Sequence, residues 1–403
     1  MREDWKEEEL IQVTNFIDYR GRTPKKTERG IKLITAKNVR MGYLKNDPEE
    51  FIAESAYDDW MTRGIPKKGD VLFTTEAPLA NVALLNTDEK IALAQRIITL
   101  CPNREILNGE FLTYCLQSPQ MQFKILEKGT GATVTGIKSR VLKKVKVPIP
   151  PLPEQKRIVV ILDEAFEAID KAKANVERNI ENAEELFQSK LNEIFSQSGE
   201  GWDEVKLGKI CGYQNGFAFK SKTYKDSGTP LVRIGDIQDG EIDLSNIKYV
   251  DREDYAKDLS RYEIIKGDLL IAMSGATTGK VGIVNKDDTF LLNQRVGKFE
   301  PREHLNKDFL YYFLSTKVEE ALNISAGSAQ PNLSTKQIKD FLIPLPSIKV
   351  QKALVHELNE LSDRVESIIE FYTTKTIGLE ELKKAILQKA FSGELTANEH
   401  VAA

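Results

Sequence analysis

The chain has 403 residues, 41% hydrophobic and 29% charged, with a net charge of −4, a length that exceeds what one hydrophobic core usually serves and points to two or more domains. No apolar run approaches the roughly 20 residues of a membrane-spanning helix. Cys101, Cys115 and Cys211 form no close CxxC pair, which argues against a disulfide framework or a thiolate zinc site.

The charged start, Met1-Arg2-Glu3-Asp4-Trp5, lacks the apolar core of a secretory signal, so a cytoplasmic location is expected. A basic run follows: Arg20, Arg22, Lys25, Lys26, Arg29, Lys32, Lys37, Arg40 and Lys45 stand against the single acid Glu28, with Tyr19 and Tyr43 alongside. Residues 1–150 carry 24 Lys and Arg against 20 Asp and Glu, whereas residues 199–348 carry 20 against 22, so positive charge gathers in the first part of the chain. Such a run reads either as a solvated face or as a surface for phosphate. Short Val/Ile/Leu segments punctuated by Gly, Asn and Asp, such as Gly69-Asp70-Val71-Leu72-Phe73-Thr74, read as strands and turns, and a short helix is expected near Phe111–Leu116. A second basic run follows Lys124 and ends at Lys146.

The proline cluster Val147–Pro153 cannot continue a helix or a central strand and reads as an extended connection. After it the period becomes helical, with Ile158, Leu162, Ala165, Ile169, Ala172, Val176, Ile180, Ala183, Phe187, Leu191 and Ile194 spaced as a coiled-coil seam. A second such stretch carries Leu354, Leu358, Leu361, Val365, Ile368, Tyr372, Thr376, Leu379, Leu382 and Ile386.

These features occur twice because the chain is a tandem repeat. Trp5-x4-Leu10 recurs as Trp202-x4-Leu207, Lys68-Gly69-Asp70-Val71-Leu72 as Lys266-Gly267-Asp268-Leu269-Leu270, and Gln95-Arg96 as Gln294-Arg295. Phe111-Leu112-x-Tyr114 recurs as Phe309-Leu310-x-Tyr312, Pro148–Gln155 as Pro344–Gln351, and Phe195-Ser196 as Phe391-Ser392. The expected fold is α+β: two pseudo-repeated mixed lobes joined by two long helices that form an antiparallel coiled coil. The boundaries read as 1–150, 151–198, 199–346 and 347–395, with a tail at 396–403. A helix of roughly 40 residues is about 60 Å long at 1.5 Å per residue, so lobes at its two ends would be spaced like two separated sites on B-DNA.

Lobe, proline cluster and helix, taken twice, resemble the specificity subunit of type I restriction-modification enzymes over essentially the whole chain. The motifs that carry the resemblance are Trp202-x4-Leu207-Gly208, Gly267-Asp268-Leu269-Leu270, Ser274-Gly275-x3-Gly279-Lys280-Val281-Gly282, Asn293-Gln294-Arg295, Ser325-x-Gly327-Ser328-x-Gln330-Pro331-Asn332-Leu333, Ile343-Pro344-Leu345-Pro346 and Phe391-Ser392-Gly393-Glu394-Leu395. The resemblance implies two target-recognition domains, each reading half of an interrupted site in double-stranded DNA. It implies two methyltransferase subunits docked on the helices, a restriction and translocation subunit, and S-adenosylmethionine and ATP held only by those partners. The first repeat departs from the pattern, with Glu76-Ala77-Pro78-Leu79-Ala80-Asn81 in place of the glycine-rich loop and Gly129-Thr130-Gly131-Ala132-Thr133 in place of the Gly327 motif.

Catalytic readings fit poorly. Gly275–Val281 is one residue short of a phosphate-binding loop and has Val281 where Ser or Thr would hold magnesium. A base-flipping methyltransferase needs an Asn/Asp-Pro-Pro-aromatic segment, but Ile149 precedes the only Pro-Pro. His304, His356 and His400 have no metal-ligand spacing. The sequence thus predicts a non-catalytic DNA-reading subunit, with a coiled-coil scaffold whose lobes bind other proteins as the alternative. Arg20, Arg22, Lys25 and Lys26 in the first lobe and Lys220, Lys222 and Arg233 in the second are the expected phosphate contacts. Gln294 and Arg295 are candidate base readers, although their recurrence as Gln95 and Arg96 favours a structural role, because lobes reading different sequences share scaffold rather than readers.

Overall fold

Short apolar segments between turn residues form strands whose alternate side chains fill both faces of a central sheet. The computed structural model describes residues 5–21, 23–131, 135–196, 202–238, 240–325 and 332–397, and the chain divides into two units, 1–177 with 373–403 and 178–372. In the first unit β1 (Lys6–Glu9), β2 (Thr14–Asp18), β3 (Ile31–Ile34), β4 (Val71–Thr75), β5 (Leu79–Leu84), β6 (Ile91–Leu93) and β7 (Ile97–Pro102) precede α1 (Gly109–Gln117), α2 (Pro119–Glu127) and the return strand β8 (Lys146–Ile149). Strands β2, β7, β4 and β5 form an antiparallel sheet in that order. Strand β3 lies parallel to β6 in a second sheet, and β8 runs antiparallel to β1 with Lys6 opposite Ile149. Strand β4 is covered on both faces: Phe73 packs with Phe111 and Leu112 of α1, Leu72 with Leu33 and Leu93 of the second sheet. This explains why Val71-Leu72-Phe73 is apolar at successive positions rather than alternating with polar residues.

A helix of 45 residues, α3 (Leu152–Ser196), leads into the second unit, where the same plan recurs. Its elements are β9 (Asp203–Lys206), β10 (Cys211–Asn215), β11 (Thr229–Val232), β12 (Leu269–Ala272), β13 (Val281–Ile283), β14 (Phe290–Leu292), β15 (Val296–Pro301), α4 (Lys307–Ser315), α5 (Val318–Ser325), β16 (Leu342–Leu345) and α6 (Ile348–Ser392). Strands β10, β15, β12 and β13 are antiparallel neighbours, β11 lies parallel to β14, and β9 pairs with β16.

Within each unit the two long helices run antiparallel. In the first unit Asp170 meets Lys383 at 3.7 Å and Lys173 pairs with Glu380; in the second Asn179 Nδ2 donates to Tyr372 Oη at 2.9 Å and Lys190 meets Glu357 at 3.2 Å. The seam buries Ile158, Leu162, Ile169, Val176, Leu191, Leu358 and Val365 as the spacing predicts. It departs at Ile368 and Leu382, which are 40% and 47% exposed, while Leu387, Ala390 and Phe391 are buried instead. A helix with 3.6 residues per turn drifts about 20° per heptad, so a strict seven-residue reading leaves the contact face. Each lobe also holds the far end of a long helix: Phe391 packs on Phe111 with centroids 5.2 Å apart, and Phe195 on Phe309 at 5.0 Å. No described helix is long and apolar enough to cross a membrane.

Candidate nucleic-acid interface

In the first unit three chain segments converge where β4 ends. Thr75 N donates to the Arg96 carbonyl at 2.9 Å, and Ile137 N donates to the Thr75 carbonyl at 2.9 Å. The approach to β7 and the segment around residue 137 are thereby stitched to opposite sides of one residue. Thr130 and Gly136 exchange backbone hydrogen bonds at 2.9 and 3.0 Å and close the base of a loop whose residues 132–134 lie outside the described residues. Arg96 has φ 75°, a left-handed conformation uncommon for residues with a side chain. Its Nε lies 2.9 Å from Glu76 Oε1, with the two side chains 50% and 40% exposed. Arg20, Gly21 and Lys138 also line this cleft of about 270 Å³.

The second unit repeats the backbone arrangement with different side chains. Met273 N donates to the Arg295 carbonyl at 2.9 Å and Leu333 N to the Met273 carbonyl at 2.7 Å, matching the bonds at Thr75. Here Arg295 Nη1 donates to Asn332 Oδ1 at 2.5 Å, and Gln294 is exposed beside it. The recurrence of Gln-Arg therefore reflects its main chain, which serves the sheet in both lobes, while the partner of the arginine differs.

The other predicted residues divide by what they touch. Arg20 is held by Asp18 through Nε at 2.8 Å and Nη2 at 2.6 Å. Burial alone would raise the Asp18 carboxyl, but hydrogen bonds and charge from Arg20 outweigh it and hold the group below its usual range. Arg22 lies outside the described residues. Lys26 pairs with Glu50 at 2.7 Å. Arg233 is taken up locally, donating to Asp236 Oδ1 at 2.9 Å and to the Asn246 carbonyl at 3.1 Å. Lys25, Lys220 and Lys222 are exposed and form no ion pair among the described residues.

Two groups of residues were not singled out from the sequence. One is the Arg96–Glu76 pair with Lys138. The other is a cleft of about 400 Å³ lined by Lys128, Arg140, Val141 and Lys144, whose three cations have no ion-pair partner among the described residues. Lys128 and Arg140 stand two residues from Thr130 and Lys138, so the two clefts flank the base of the same loop. The basic run after Lys124 was the signal; only the fold selects its unpaired members.

Gly275–Lys280 lies in the turn between the antiparallel strands β12 and β13, with Val281 opening β13, rather than in a strand-to-helix phosphate loop, and Gly279 N donates to the Ala272 carbonyl at 2.9 Å. A Cβ on Gly279 would come within 2.8 Å of Ala321 Cβ, so close packing accounts for that glycine. Burial pushes the Cys101 and Cys211 thiols up to about 12, and no cluster of potential metal ligands occurs among the described residues.

A family model described as the type I restriction modification DNA specificity domain matches residues 2–181 and again residues 199–373. The chain is 25% identical to the type I restriction enzyme MjaVIII specificity subunit of Methanocaldococcus jannaschii, covering 98% of this chain and 93% of that one. It is 26% identical to the EcoBI specificity subunit of Escherichia coli, over 96% and 85% of the two chains. Among solved structures, a chain from a study of complex assembly and conformational transition of the type I R-M system superposes with TM-score 0.78 at 22% identity, covering 98% of this chain and 99% of that one. The HsdS subunit of Thermoanaerobacter tengcongensis superposes with TM-score 0.60 at 22% identity, over 98% of both.

Proposed function

The chain belongs to the type I restriction modification DNA specificity family, and on that premise we propose that its two lobes each read one half of a bipartite double-stranded DNA target. The protein is a non-catalytic specificity subunit that recognises DNA; the division of the target between lobes and the guidance of partner subunits are the finer parts of this reading. Two methyltransferase subunits carry S-adenosylmethionine, and a restriction and translocation subunit carries ATP.

One observation carries the bipartite reading. The same backbone bonds recur in each unit, yet the side chains presented differ, Arg96 with Glu76 in one and Arg295 with Asn332 in the other. A shared scaffold with divergent polar groups is what two readers of different half-sites require. Around the first cleft, Lys138, Lys128, Arg140 and Lys144 supply phosphate contacts, with Arg20 joining them once a phosphate competes with Asp18. Lys25, Lys220 and Lys222 take the same role at lower density, whereas Lys26 is spoken for by Glu50. Sequencing the methylated bases of a host that carries the complete system tests the reading: a motif of two short blocks separated by unread bases is expected, and a continuous motif would overturn it.

A further inference from the structure

We propose that Arg96 and Glu76 together read one G·C base pair in the half-site bound by the first lobe, Arg96 donating to guanine N7 and O6 and Glu76 accepting from the cytosine amino group. This assignment rests on the DNA-reading function above and adds which base pair one lobe selects.

The chemistry follows from the edge that DNA offers. Across the major groove a G·C pair presents two acceptors, N7 and O6, and then a donor, the cytosine N4 amino group. Its complement is two donors followed by an acceptor, fixed side by side. The guanidinium and carboxylate of Arg96 and Glu76 are that set. Their contact runs through Nε, 2.9 Å from Glu76 Oε1, and neither terminal nitrogen of Arg96 makes a hydrogen bond to protein among the described residues. The outer edge of the guanidinium therefore remains for a bidentate contact.

Three further features set this pair apart from an ordinary surface ion pair. Arg96 holds a left-handed backbone, φ 75°, and its carbonyl accepts from both Thr75 N at 2.9 Å and Thr75 Oγ1 at 3.3 Å, so the origin of the side chain is fixed before any ligand arrives. Backbone strain of this sort persists only where the surroundings over-determine it, and it gathers at ligand sites. Arg20 and Lys138 line the same cleft, placing cations beside the reading pair where phosphates would lie. The second lobe keeps the main-chain hydrogen bonds but not the left-handed arginine, and it engages a terminal nitrogen of Arg295 with the neutral Asn332 amide, so it does not offer the same donor-donor-acceptor set.

Methylation mapping in a host carrying the complete system, with the wild-type chain and with R96K, E76Q and R295K, tests the assignment. Lysine keeps the charge and loses the bidentate edge. In the wild-type motif one half should contain a G·C pair at which R96K relaxes discrimination about tenfold to a hundredfold, with the other half unchanged; R295K should alter only that other half. E76Q should relax the same position as R96K. Should R96K abolish methylation outright, E76Q decides: relaxation at a single G·C position supports the pair, and an unaltered motif overturns it. A bipartite motif that R96K leaves unchanged, or changes at an A·T pair, overturns this assignment alone. Absence of any bipartite motif from the wild type overturns the bipartite reading on which this assignment rests.

Discussion

Gln155 and Gln351 make the same three hydrogen bonds in the two repeats, each from a fully buried side chain in the first turn of a long helix. Gln155 accepts from Asn108 N and donates to the carbonyls of Ile106 and Pro150, all at 2.8 Å. Gln351 accepts from Asn306 N at 2.8 Å and donates to the carbonyls of His304 at 2.9 Å and Pro346 at 2.8 Å. Each amide joins the proline cluster, the loop before a short lobe helix and the long helix, which is how a lobe is fixed to its helix rather than tethered to it.

Q155L or Q351L keeps the volume and removes all three bonds, leaving backbone groups without partners. At about 1 kcal/mol net per hydrogen bond, with a further penalty for unsatisfied buried groups, each variant should lose about 2–4 kcal/mol of unfolding free energy. Urea denaturation measures this, and a loss under about 0.5 kcal/mol would contradict the pinning role.

Lys128, Arg140 and Lys144 should grip phosphate without reading sequence. Changing all three to glutamine should lower the slope of log affinity against log salt by about 2–3, at roughly 0.9 per phosphate contact, while the recognised motif stays the same. Unchanged DNA binding with failed assembly of the methyltransferase complex would instead assign the cleft to a protein partner.

Arg233 tests whether a cation predicted from sequence serves DNA or fold. Its guanidinium lies against Asp236, whose side chain is only 5% exposed, so R233A strands a buried carboxylate and should lower stability by roughly 1–3 kcal/mol. The salt slope of DNA binding should hold. A drop of about 1 in that slope, at unchanged stability, would restore Arg233 as a phosphate contact.

Asp18 gives a pH signature. Its folded carboxyl titrates below the ordinary range, so the folded state binds its proton less readily than the unfolded chain does. The stabilisation is fully present above the unfolded value of about 3.9 and disappears as pH falls through the lower folded value. D18N should flatten the acid limb of the stability–pH profile and, by freeing Arg20, steepen the salt dependence of DNA binding. An acid limb identical to the wild type would show that the pair contributes nothing.

Replacing residues 1–147 with the lobe of another family member should change one half of the methylated motif and leave the other intact. The graft must supply the partners that meet the retained helices: main-chain groups for Gln155, an indole to donate to Glu154 as Trp5 does at 3.3 Å, and an aromatic ring for Phe391. Alteration of both halves would show that the lobes do not read independently.

Much of this organisation is local and therefore legible in one dimension. The proline clusters at Pro148 and Pro344, the long apolar periods after them and the collinear repeat forecast two lobes and two long helices, because proline geometry and helical period act over a few residues at a time. Even the recurrence of Gln155 as Gln351 marks a conserved internal joint, although not what it binds. Which cations are free is a different kind of question. Lys26 and Lys25 are neighbours in sequence, yet Glu50 neutralises only the first; Arg233 looked as available as Lys222 until Asp236 and the Asn246 carbonyl took it up. Lys128, Arg140 and Lys144 gather because a loop closes between Thr130 and Gly136, and Arg96 meets Glu76 because the approach to β7 is stitched to Thr75 at the end of β4. Sequence alone determined the repeat, the elements and the family pattern. The tertiary structure decided the interface, since charge pairing depends on distances of a few ångströms between groups that the chain itself holds many residues apart.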